Sequence, residues 1–150
     1  MTVIQKLTTL GITLFVIAFF SVGVHEQFHV LGASLVGIDS YARYTWTGGY
    51  VVTLSTPDEA QRQVIRVAGG LGTAALLMVL WYLAHRQTKY TDWELDDALS
   101  FLLIATWQFT YAWFDGTHLA FWGNILGALT GLAVCSLVYG RKLIAWLYDR

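Results

Sequence analysis

Two histidines and a glutamate stand together in GVHEQFHVLG, residues 23–32, inside one of the most apolar stretches of the chain. Residues four apart share a face of a helix, so His25 and His29 can turn both imidazoles toward one ion. Glu26 can reach a water held on that ion and take its proton, which is the physical content of the H-E-x-x-H spacing. A catalytic zinc site asks for three protein ligands and one open position. The bound water then ionises near neutral pH, and the ion polarises a carbonyl. The pattern is specific in a chain with only four histidines. Two other roles use the same residues: polar contacts between membrane helices, and haem ligation with His118 across the bundle.

A third ligand must come from elsewhere. Asp115 is the first choice, because it follows the apolar run Ala112-Trp113-Phe114, and His118 is the second. Asp115-Gly116 also reads as an ordinary turn dipeptide. Glu59, His85 and the acidic run from Asp92 to Asp97 lie on polar segments and fit less well.

Composition sets the elements that must hold these groups. Of 150 residues, 56% are hydrophobic and 13% charged, against roughly 25% charged in a soluble domain. Mean hydropathy is +0.53. The formal net charge of −1 gives no sign of nucleic acid as a partner. Cys135 is alone, which excludes an intrachain disulfide and suits a small buried or lipid-facing residue. Four apolar stretches approach the roughly 20 residues a helix needs to cross a bilayer.

The expected fold is therefore all-α and integral to the membrane: one domain over residues 1–150, with helices at about 4–36, 64–84, 98–114 and 118–139. The first stretch lacks a small-x-small cleavage site and stays apolar past residue 30, so it reads as a retained helix rather than a signal peptide. Gly37 is placed to end that helix. The aromatic and β-branched run 41–56, around Gly48-Gly49, predicts a β-hairpin. Ser55, Thr56 or Asp58 can cap a short helix over 59–66 that leads into the second crossing. Residues 141–150 read as an interfacial tail of the fourth helix. Gly69, Gly70 and Gly72 allow close helix contact. Gln108, Thr110 and Asn124 read as interhelical hydrogen-bonding groups, and the tryptophans as interfacial anchors or bundle packing.

Up-and-down crossings have a consequence for the site. The first helix carries HEQFH near its exit, the second starts there with RVAGGLG, and the third returns to end there at Phe114-Asp115-Gly116. His25, His29, Asp115, His118, Gly69-Gly70 and the hairpin should all gather at one end of the bundle.

The order VHEQFHVLGASLVGI, TGGYV, QVIRVAGGLGTAALL and FDG, over residues 22–118, resembles the site-2 protease family of intramembrane zinc metalloproteases. The resemblance implies a Zn2+ cofactor with His25, His29 and Asp115 as ligands and Glu26 as general base. It further implies that the segment near Gly48-Gly49 holds an unwound substrate by strand addition. The chain departs from the family at Ala68-Gly69-Gly70, where an Ala-Gly-Pro turn is usual. It also departs at TWQFTYAWFDG, which lacks the family's Asn-x-x-Pro-x-x-Pro run.

The function expected is that of a zinc metallohydrolase, a peptidase acting on a transmembrane or juxtamembrane protein substrate. The competing expectation is a non-catalytic, metalloprotease-like subunit among the partner subunits of a membrane complex. Either way the chain is expected to be multi-pass, in contact with membrane lipid, in the cell or cytoplasmic membrane.

Overall fold

The computed structural model describes residues 2–45, 48–87 and 95–148. Four helices and one two-stranded sheet follow in the order α1 (Val3–Leu35), β1 (Ser40–Thr45), β2 (Gly48–Thr53), α2 (Glu59–Gln87), α3 (Leu95–Tyr111) and α4 (Ala120–Tyr148). Among the described residues, α1, α2 and α4 are long and apolar enough to cross a membrane. Residues 46–47 of the expected hairpin, residues 88–94 with Trp93, and the last two residues of the expected tail lie outside the described residues.

Local chemistry sets the helix ends. Thr2 and Gln5 exchange side chain-to-backbone hydrogen bonds at the start of α1, satisfying N–H groups that have no partner within the helix. At its other end Gly37 takes φ 75, and the Ile38 N–H returns to the Ala33 carbonyl at 2.9 Å. This left-handed stop is the one expected of Gly37. Of the three possible caps for α2, Asp58 acts: its carboxylate accepts from Gln61 N at 2.8 Å, and Gln61 Oε1 accepts from Asp58 N at 2.9 Å. The helix then runs unbroken, so the expected short helix at 59–66 is the first two turns of α2 itself. Likewise the segment expected as a separate tail continues α4 to Tyr148.

α3 is the inner helix. It buries Leu95, Ala98, Leu99, Leu102, Ile104 and Ala105 against α2 and α4. α4 approaches it along a line repeating every four residues, Gly123, Gly127, Gly131, Cys135 and Tyr139, all buried. At the far end of the bundle Tyr139 is 1% exposed, and its hydroxyl takes the Trp81 Nε1–H at 2.9 Å and faces His85 Nδ1 at 2.6 Å.

α1 is built the other way round. Its buried positions include Lys6, Ser21, His25, Glu26 and His29, while Ile4, Phe15, Phe19, Phe20 and Leu35 are exposed. The hairpin folds back over its C-terminal half. Register pairs Tyr44 with Gly49 and Arg43 with Tyr50. The Tyr44 hydroxyl accepts from Gln27 Nε2 at 2.8 Å, which ties β1 to α1.

Candidate metal centre

His25 and His29 lie one turn apart on α1, and their rings meet edge to face at 81°, with centroids 4.6 Å apart. That orientation brings the two Nε2 atoms to 3.0 Å. Asp115 closes the triangle: its Oδ2 is 3.0 Å from His25 Nε2 and 2.9 Å from His29 Nε2. Asp115 is delivered by the last turn of α3. Its N–H bonds the Tyr111 carbonyl at 3.0 Å, continuing the helical pattern past the end of α3, and Gly116 at φ 64 then turns the chain away. The turn role of Asp-Gly and the approach of the carboxylate to both rings are thus one feature.

The outer nitrogens decide what the inner ones can do. His29 Nδ1 faces the Ile65 carbonyl at 2.6 Å. A carbonyl only accepts, so Nδ1 carries the proton and a neutral His29 presents a bare lone pair at Nε2. His25 Nδ1 faces Gln108 Oε1 at 2.9 Å and is fixed in the same way. With both rings neutral, two bare nitrogens and a carboxylate oxygen converge with lone pairs facing one another. A proton placed among them bridges one contact at a time, whereas a divalent cation satisfies all three. Imidazole ligands of metals characteristically donate their other N–H to a carbonyl or carboxylate, as both rings do here. The triangle also has the right size. Bonds of about 2.0–2.1 Å in a tetrahedral zinc site make ligand-to-ligand edges of about 3.3–3.4 Å, a few tenths of an ångström wider than the separations found. The three residues fit a metal ion with little adjustment.

Charge is favourable too. An ionised carboxylate at 15% side-chain exposure needs a positive partner.

Glu26 is 7% exposed and points toward the hairpin rather than along α1. A Cβ at Gly49 would stand 2.5 Å from its Cγ and 3.2 Å from its Oε1, so the carboxylate lies directly over the backbone of β2. Among the described residues, neither of its oxygens makes a hydrogen bond. Glu26, His29 and Asp115 share the wall of a cleft of about 650 Å³ that runs along β2 and the first turns of α2.

His118 is exposed and stands outside the triangle, so of the two possible third ligands the fold brings in Asp115. Glu59 lines the outer cleft without joining the group, and His85 is at the other end of the bundle. The expected interhelical groups divide. Asn124 Oδ1 accepts from Trp107 Nε1 at 3.1 Å across α3 and α4, while Thr110 bonds the Thr106 carbonyl within its own helix. Gln108 does more than link helices, since it orients His25, a role that sequence reasoning missed. The signal was present: Gln108 precedes Asp115 by seven residues, two helical turns, and so shares its face. Comparison with protein-family models, with curated proteins and with solved structures finds no match for this chain, and the reading of the site rests on its own geometry.

Proposed function

We propose that the chain is a multi-pass membrane metallohydrolase, a peptidase in which His25, His29 and Asp115 hold Zn2+ and Glu26 is the general base. The observation that carries the metal reading is the convergence of His25 Nε2, His29 Nε2 and Asp115 Oδ2 on one point, with both Nδ1 atoms set against oxygen acceptors so that each neutral ring turns its Nε2 lone pair inward.

Support for a membrane setting comes from the inverted pattern of α1, with ionisable groups inward and large apolar side chains outward. Ionisable residues inside a bilayer characteristically face the bundle interior. α3 joins α1, α2 and α4 as a fourth crossing in this reading, its 17 helical residues extended by the turns that lead to Asp115.

Zinc, when bound, supplies Lewis-acid polarisation of a carbonyl and a lowered pKa for water. The chain's own residues supply the rest. Glu26, facing the cleft and without a hydrogen-bond partner among the described residues, takes a proton from the attacking water and returns it to the departing amine. Gln108 and the Ile65 carbonyl hold the imidazoles in one tautomer. β2 is hydrogen-bonded to β1 on one side and borders the cleft with Gly49, Tyr50, Val51 and Thr53. A substrate strand pairing with its other edge would expose peptide carbonyls that a helical substrate keeps bonded.

The test is Glu26→Gln in a purified chain incubated with a panel of transmembrane peptides in micelles. Cleavage is lost and metal content is unchanged. Cleavage that persists in this variant removes Glu26 from the chemistry.

A further inference from the structure

Arg66 stands in the same cleft with a positive charge that nothing in the described chain neutralises. It lines the cleft together with Glu26, His29 and Asp115, and its aliphatic stem lies along Gly116: a Cβ built there would meet Arg66 Cδ at 3.6 Å and Cγ at 3.7 Å. One hydrogen bond fixes the head, from Nη2 to Gln63 Oε1 at 2.6 Å. Its Nε is buried and, among the described residues, has no hydrogen-bond partner. Three carboxylates border the cleft, yet among the described residues none lies within ion-pair distance of Arg66; the nearby Arg62 pairs with Glu59 at 3.7 Å. An unsatisfied donor on a half-buried cation is costly, and such groups call for an explanation.

We infer that Arg66 is the specificity group of the cleft and receives a carboxylate of the substrate close to the bond that reacts. This rests on the metallohydrolase reading of the triangle. A guanidinium presents its N–H groups as a planar fork that matches a carboxylate. The cleft favours a singly charged planar anion, because Glu26, Glu59 and Asp115 on the same walls oppose a phosphate of higher charge. The position also fits: the Arg66 stem lies along Gly116, the residue after Asp115, and Arg66 shares the cleft wall with Glu26, His29 and Asp115, so an anion received there enters the cleft that the triangle borders. Two sources offer this chemistry, an acidic side chain and the carboxylate at a chain terminus.

The experiment uses the full chain in lipid nanodiscs loaded with Co2+, whose visible spectrum reports both occupancy of the triangle and ligands arriving at the open position. Acetate, propionate and butyrate are titrated against malonate, succinate and glutarate. At least one dicarboxylate binds tenfold or more tighter than its monocarboxylate partner. Arg66→Gln abolishes that advantage, and Arg66→Lys retains part of it, with the cobalt spectrum of the unliganded chain unchanged in both. Two peptide hydroxamates then separate the sources: one with a free C-terminus and neutral side chains, one amidated with a single glutamate. The one that loses affinity in Arg66→Gln identifies the source. Equal binding of mono- and dicarboxylates, or an advantage that survives Arg66→Gln, overturns the inference while the metal site stands. A chain that takes up no cobalt overturns the metal reading itself.

Discussion

Gly69 of α2 packs flat against His29, and no side chain fits between them. A Cβ there would overlap His29 Cε1 and Nε2 and stand 2.8 Å from His25 Nε2. The obstacle is a pair of rings held at both Nδ1 atoms, so it yields poorly. Gly69→Ala therefore costs about 1–3 kcal/mol of overpacking, concentrated on the nitrogens that meet Asp115 in the triangle. The expected outcome is metal affinity lowered by more than tenfold in a chain that still inserts and folds, measured by competition with a chromogenic chelator.

Gln108 offers a finer cut. Gln108→Leu keeps the volume near His25 but removes the acceptor that fixes its tautomer. Loss of such an outer partner typically costs about 10–100-fold in metal affinity. The same titration reads this, and unchanged affinity would show that Gln108 does not orient His25. His29 offers no equivalent substitution, because its partner is a backbone carbonyl.

Gly49 governs Glu26 without touching the triangle. Gly49→Ala places a methyl group against Glu26 Cγ and displaces the carboxylate, which is a flexible end and moves at little cost in stability. Misplacing a catalytic group by about 1 Å can cost on the order of 100-fold in rate. Peptidase activity is expected to fall at least tenfold, with zinc content and thermal stability close to those of the parent chain.

The far end of the bundle separates scaffold from site. Tyr139→Phe removes the hydroxyl of a residue 1% exposed and leaves the half-buried Trp81 Nε1–H without its acceptor. An unmet donor costs about 1–3 kcal/mol when fully buried, and this half-buried one about 1 kcal/mol. Unfolding in mixed micelles should show that loss, and zinc stoichiometry should not change.

Much of this arrangement was legible in the sequence because strong local signals coincided. The apolar stretches located four helices, Gly37 and Asp58 marked ends, and the up-and-down order of the helices carried Asp115 to the end of the bundle where HEQFH lies. The boundaries of α3 were displaced by three residues. Asp96 and Asp97 resemble loop residues, yet they occupy its first turn, where acidic groups favour the helix dipole. α4 ran on past Arg141 because residues 141–148 hold neither glycine nor proline to break it. The Ile65 carbonyl carried no sequence signal at all, since any residue supplies the same acceptor. The contact of Gly49 with Glu26 required knowing that the hairpin folds back along α1 rather than away from it.

The central claim is that His25 Nε2, His29 Nε2 and Asp115 Oδ2 enclose one divalent ion, and X-ray absorption at the metal edge on the purified chain tests it most directly. The account predicts one ion per chain, a shell of nitrogen and oxygen donors with the scattering of two imidazoles, and its loss in His29→Ala and Asp115→Ala. A folded chain without a bound ion, or an ion whose shell survives both substitutions, would contradict it.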